Sequence, residues 1–214
     1  DDDWYVDFVI INWDRLDEEP SCPIDIISIP SSIWWVVVEH IWDNTFNSEW
    51  IAFTSLNIPN TIKTIWNWSF QSHHLTSLTI PNSVISIWNY AFWEYNWSYD
   101  PISSINNLTL WNSVTNIWDW AFNGVQITNL IIPNSVINIW SKAFFNNKIT
   151  NLTLPQNLEN IWDEAFNSNS QEVKKVIFQR NSITNLWQNV FNDNGNSLLS
   201  NWSNNVFWTY SLAD

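Results

Sequence analysis

Residues Ile127–Lys148 read ITNLIIPNSVINIWSKAFFNNK, and Ile149–Asn169 follow at once with ITNLTLPQNLENIWDEAFNSN. Pro133 and Pro155, Ile139 and Ile161, Trp140 and Trp162, and Phe144 and Phe166 are each 22 residues apart. A fixed period of this size is the signature of a repeat solenoid, in which each copy is one supersecondary unit stacked on the next. Within a copy, Ile149, Leu152 and Leu154 have the alternation of a short half-buried strand, and Pro155 marks a turn. Leu158 and Ile161 lie on a second short extended piece, and Ala165 with Phe166 closes a tight aromatic corner. One copy cannot bury these side chains against itself. A neighbour one strand spacing away, about 4.8 Å, covers them, so stacking is obligatory.

The pattern extends in both directions. Phe53–Phe70, Leu75–Phe92 and Ile105–Phe122 are regular copies on the N-terminal side, and Ile24–Phe46 is a first copy with about five extra residues after Ile33. Val173–Phe191 is a looser last copy with Gln179 in place of Pro, so seven copies are legible. Phe92 and Phe122 are 30 residues apart, eight more than the period. The extra residues, in the stretch WEYNWSYDP at Trp93–Pro101, must loop out. The expected organisation is an N-terminal cap over 1–23, the array over 24–198, and a C-terminal cap or the start of a following region over 199–214. The cap stretch carries Asp1-Asp2-Asp3, an alternating apolar run at Tyr5–Ile11, and DRLDEEP at Asp14–Pro20. A strand pairing with the first copy is the usual cover for a solenoid end.

Leu75–Phe92, LTSLTIPNSVISIWNYAF, resembles at nearly every position the repeat of the BspA-like bacterial surface leucine-rich repeat proteins, LTSLTIPNSVTSIGxxAFxxC. The resemblance recurs over the whole array and implies a right-handed, β-rich solenoid with parallel sheet along its length and short helical or 3₁₀ turns at the Ala-Phe corners. It also implies display on a bacterial surface or secretion, and attachment to proteins or to extracellular matrix and host surface components. Ile80, Ile87, Ala91 and Phe92, with their equivalents, should then be buried, while Thr79 and Asn82 point outward or cap turns. Two departures stand out. The terminal Cys of the motif is missing everywhere, and Trp stands where the family has Gly after the Ile.

The composition carries the second departure further: there are 19 Trp and 2 Gly, whereas glycine ordinarily makes up about 7% of residues. Trp42, Trp66, Trp88, Trp118, Trp140, Trp162 and Trp187 occupy the motif's Gly position, and Trp34-Trp35 stands in place of a Gly-Gly turn. This is the pattern of a gene from a bacterium that reads UGA as glycine, translated by a code that reads UGA as tryptophan. If the position requires positive φ, each Trp costs about 1–2 kcal/mol. The whole set would then cost about 7–14 kcal/mol, against a net domain stability of about 5–15 kcal/mol. The alternative is a genuine ladder of indoles along one edge, and the codons decide between the two.

A chain of 214 residues suits one domain. Its net charge of −14 repels phosphate backbones and anionic membrane surfaces, which speaks against nucleic acid as a partner. The longest apolar stretches, such as Ile33–Val38, fall far short of the roughly 18 residues of a spanning helix, so no membrane insertion is expected in this segment. Cys22 is the only cysteine, which rules out an intramolecular disulfide, and no Cys/His spacing suggests zinc. Starting at Asp1 and lacking Met, the chain reads as a fragment or a processed product, with any signal peptide outside it.

Catalysis needs converging titratable groups. His40, His73 and His74 have no hydrolase, metalloprotease or deaminase spacing. Asp43, Asp119 and Asp163 recur after Ile-Trp as a sparse acidic row, interrupted by Asn67, Asn89, Ser141 and Gln188 without the ligand spacing of a calcium loop. Sequons begin at Asn67, Asn96, Asn107, Asn151 and Asn201, a number that chance supplies in so Asn-rich a chain. No catalytic residue, metal ligand or cofactor is therefore assigned, and the expected function is a non-enzymatic recognition or adhesion module, with a structural spacer as the alternative. The candidate contact face consists of the outward residues of the first strands, in two rows. One row is Ser55, Ser77, Asn107, Asn129, Asn151 and Lys175; the other is Asn57, Thr79, Thr109, Ile131, Thr153 and Ile177. The Trp93–Pro101 insertion is the second candidate.

Overall fold

The computed structural model describes residues 26–47, 53–71, 75–94, 105–169, 175–178, 183–187, 189–191 and 209–211. The cap expected over 1–23, Cys22, His73, His74, Gln188, Asn96, Asn201 and the Trp93–Pro101 insertion beyond Glu94 lie outside the described residues.

Each copy forms two short strands, numbered in chain order. The first strands are β1 (Ile26–Ser28), β5 (Ser55–Asn57), β7 (Ser77–Ile80), β9 (Asn107–Leu110), β11 (Asn129–Ile131), β13 (Asn151–Leu154) and β15 (Lys175–Phe178). The second strands are β4 (His40–Ile41), β6 (Thr64–Ile65), β8 (Ser86–Ile87), β10 (Asn116–Ile117), β12 (Asn138–Ile139), β14 (Asn160–Ile161) and β16 (Asn185–Leu186). The extra residues of the first copy form a hairpin, β2 (Ser32–Ile33) with β3 (Val36–Val37), closed by Trp34-Trp35. A last strand, β17 (Thr209–Ser211), runs antiparallel along β15.

Strands of the same kind pair in parallel, copy by copy. β7, β9, β11, β13 and β15 form one sheet, β1 pairs with β5, and the seven second strands form another sheet in unbroken order from β4 to β16. Register follows the apolar pattern. Leu78, Leu108, Leu130, Leu152 and Val176 lie side by side, although Leu78 and Leu108 belong to the pair of copies that the eight extra residues separate. The extra residues therefore leave both sheets in register. Between the two strands, Ile62, Val84, Val136 and Leu158 each donate their backbone N–H to the carbonyl of Pro59, Pro81, Pro133 or Pro155, closing a turn whose first residue is proline.

The Ala-Phe corners are pairs of i→i+3 turns. Ala121 N–H donates to Trp118 O and Asn123 N–H to Trp120 O; Ala143 and Phe145 do the same to Trp140 and Lys142. These are the bonds a 3₁₀ turn would make, but no helix forms among the described residues. The cause is local: the shared residue of each pair is left-handed, at Asn44, Trp68, Tyr90, Trp120, Lys142, Glu164 and Asn189, with φ between 50° and 59°. A residue of that sign stops a helical run. The corners form a third ladder, in which Phe70 N–H reaches Ala91 O, Phe92 N–H reaches Ala121 O, and Phe122 N–H reaches Ala143 O, each at 2.8–2.9 Å.

The core runs the length of the array. Ile80, Ile87, Ala91 and Phe92 are fully buried, as are their equivalents Ile139, Ala143, Phe144, Ile161, Ala165 and Phe166, while Thr79 and Asn82 are exposed. Phe46, Phe70, Phe92, Phe122, Phe144, Phe166 and Phe191 stack ring on ring with centroids 4.9–5.9 Å apart. Burying one such side chain stabilises by about 1.5–3 kcal/mol. The seven tryptophans at the motif's Gly position stack in the same way on the outer side of the second sheet, with centroids 4.5–5.3 Å apart. None of them has positive φ. The strain expected at this position is thus absent there, and the left-handed residue comes two positions later.

Candidate functional site: an outward sheet face

Strand alternation sends Leu78, Ile80, Leu108 and Leu110 inward, so the residues between them must face out. The ten candidate residues Ser55, Asn57, Ser77, Thr79, Asn107, Thr109, Asn129, Ile131, Asn151 and Thr153 all lie on first strands, and all are exposed except Thr153, which is half-buried. Pairing places Ser77, Asn107, Asn129 and Asn151 in one row and Thr79, Thr109, Ile131 and Thr153 in a parallel one. Ser55 and Asn57 continue the rows on β5, in register with Ile26 and Ser28 of β1. Ile131, 79% exposed, is the apolar point in the middle of an otherwise polar strip. Among the described residues, only Asn129 and Asn151 of the ten make a side-chain hydrogen bond, each to the hydroxyl of the preceding Thr128 or Thr150.

The second sheet presents a different face. Asn138 Nδ2 donates to Asn116 Oδ1 at 2.7 Å, Asn160 Nδ2 to Asn138 Oδ1 at 2.6 Å, and Asn185 Nδ2 to Asn160 Oδ1 at 2.6 Å. At the other end of this row, His40 Nδ1 lies 2.6 Å from Thr64 Oγ1, which also accepts from Trp66 Nε1. Trp118 Nε1 donates to Ser86 Oγ. The row amides of this face are consumed by one another, whereas the amides and hydroxyls of the first sheet face solvent or a partner. The signal was present in the sequence, since Asn116, Asn138 and Asn160 each precede Ile-Trp at the same repeat position.

Two buried residues also escaped sequence reasoning. Asn147 and Asn169 occupy the position of the motif's terminal Cys and are about 1% exposed. Asn147 Oδ1 accepts from Ile127 N–H, and its Nδ2 donates to the carbonyls of Phe122 and Phe145. Asn169 does the same for Ile149 N–H and Phe166 O. An amide here ties the end of a copy to its own start and to the Phe corner of the preceding copy.

Asp43 Oδ1 accepts from the backbone and side-chain N–H of Asn67, Asn67 Oδ1 from Asn89 N–H, and Asn89 Oδ1 from Asp119 N–H, so the acidic row is a chain of turn-to-turn bonds. Burial holds the Asp119 carboxyl above the ordinary aspartate range, partly offset by a hydrogen bond from the Ser141 backbone. Burial and then the charge of Asp119 raise Tyr90. A shallow hollow of about 790 Å³ opens beside β16, lined by Ser141, Trp162, Asp163, Asn185, Trp187 and Asn189 among others. Among the described residues that line it, no second acid or base accompanies Asp163. No group of three or more His, Cys, Asp or Glu able to hold a metal, and no helix long and apolar enough to cross a membrane, occurs among the described residues.

Parallel ladders on two strand faces and a corner, all advancing one copy at a time, define a leucine-rich repeat solenoid. The chain belongs to the BspA-type leucine-rich repeat family, whose repeat region matches residues 39–103 and 96–207 in six copies. Among solved structures it is similar to a leucine-rich repeat protein from Bacteroides ovatus, at 16% identity over 72% of this chain and 33% of that one, with a TM-score of 0.42. It is also similar to a leucine-rich cell surface protein from Faecalibacterium prausnitzii, at 20% identity over 73% of this chain and 48% of that one, with a TM-score of 0.45. The match spans a third to about half of the length of those two chains. No curated protein matches this chain.

Proposed function

We propose that the array is a non-catalytic recognition or adhesion module of a cell-surface or secreted bacterial protein, and that it contacts proteins or other extracellular components along the first sheet. The observation that carries this reading is the difference between the two faces. The first sheet offers exposed amides and hydroxyls in two in-register rows with few internal partners, while the second sheet spends its amides on itself. A partner laid along the strip meets a repeated, neutral hydrogen-bonding pattern with an apolar point at Ile131. A strand or loop satisfying that pattern gains one bond per copy, each worth about 0.5–1.5 kcal/mol net.

The test replaces Asn107, Asn129 and Asn151 together by Lys and measures attachment of the purified array to extracellular proteins, with folding followed by circular dichroism. Attachment should fall while the spectrum is unchanged. Full attachment by a folded variant would move the site off this face, toward Trp93–Pro101. The ladders of the second strands and of the corners, which run from copy to copy, favour one second reading, a stiff spacer that displays another domain. Exchanging the array for an unrelated solenoid of equal length separates the two, because a spacer tolerates the exchange and a recognition module does not.

A further inference from the structure

We propose that the producing cell places glycine, read from UGA, where this chain shows tryptophan. Three structural observations, independent of the recognition reading, support the compositional one. The β2–β3 hairpin has a two-residue loop whose first residue, Trp34, has φ 59°, and its two rings are 85% and 86% exposed. A two-residue loop positive at its first position is where hairpins take glycine. The two indoles meet edge to face, with centroids 6.2 Å apart, but both stay in water.

The corners repeat the point. Trp120, at φ 59°, is the third residue of the turn that Ala121 N–H closes onto Trp118 O, and Trp68, at φ 50°, holds the equivalent corner place; glycine takes positive φ there at the least cost, although the chain also sets Tyr90, Lys142 and Glu164 at this position. Gly124 shows what the chain does where a Cβ cannot fit: its φ is 76°, and a Cβ would come within 2.8 Å of the Glu94 carbonyl oxygen. The stacked ladder supplies the third observation. Its rings fit against one another, but the indole N–H groups of Trp88, Trp140 and Trp162 are buried without an acceptor. A native sheet leaves such donors unsatisfied only rarely. Glycine at these positions has no side-chain donor to satisfy, and it leaves the Asn116, Asn138, Asn160 and Asn185 row bordered by bare backbone.

Two measurements decide the matter. The codons at the seven ladder positions and at Trp34, Trp35, Trp68 and Trp120 should all be UGA, and UGG at any ladder position overturns the proposal. In protein purified from its own cells, the tryptic peptide over 149–174 contains a single ladder residue, Trp162. Its mass should be that of glycine at this position, and the tryptophan mass overturns the proposal whatever the gene reads. The strain can be tested separately by making Trp34→Gly, Trp68→Gly and Trp120→Gly together in the tryptophan-bearing chain. The triple variant should melt higher than its parent, and a lower melting temperature would remove the backbone support.

Discussion

Asn147 shows how one residue can close a copy. Its amide serves the Ile127 N–H and two carbonyls inside the core, where water cannot replace them. Asn147→Ala strands these groups, and a buried unsatisfied group costs about 1–3 kcal/mol. We expect a loss of at least that size in chemical denaturation. The sequence showed that the motif's Cys was gone, but not that an amide had taken over its position, because that role depends on carbonyls brought in from the neighbouring copy. Asp119 gives a pH signature. Its folded pKa is raised, mainly by burial, so the folded state holds the proton more tightly than the unfolded chain. The stability it contributes is complete below the unfolded value of about 3.9 and lost as pH rises through the folded one. Asp119→Asn, which restores the residue found at Asn67 and Asn89, should therefore melt higher than the parent at neutral pH. The two should converge in acid, and a thermal series across that range reads the difference.

At the scale of elements, three aromatic and amide stacks run beside the hydrogen-bonded ladders. The phenylalanine stack is the most deeply buried of them, and Phe122 sits at its centre, 5.3 Å from Phe92 and 5.5 Å from Phe144. Phe122→Ala should cost about 3–5 kcal/mol, since a rigid stack cannot collapse into the space. Urea titration would show this as a lowered midpoint with little change in slope. Strands, turns and core were legible because each apolar residue has a twin one period away, as Leu152 and Phe166 show. The left-handed corners were not. Their occupants are Asn, Trp, Tyr, Trp, Lys, Glu and Asn in turn, so residue type does not announce the φ that the turn pair imposes. The motif's Gly drew attention to a neighbouring position where the backbone is ordinary. The outward rows of the first sheet followed from alternation alone, whereas the closed amide row of the second depends on spacing between copies.

For the molecule as a whole, contacts are between nearest neighbours, and stability is nearly a sum over copies and their junctions. Removing residues 127–148, one full period, should leave a folded array with every ladder rejoined, because Ile149 then follows Gln126 in the register that Ile127 had. Removing half as many should not, since it sets strands against turns. Circular dichroism and melting of the two shortened chains distinguish these outcomes, with cooperative unfolding expected only for the first. The same in-register geometry bears on heredity. A crossover between misaligned copies of the gene adds or removes a whole period and yields a protein that already fits together, so array length can drift between lineages without passing through misfolded intermediates. Small insertions survive only where the chain can bulge away from the ladders. Selection on reach can therefore act on copy number, while selection on contacts acts on the outward residues of single strands, and the two can proceed independently.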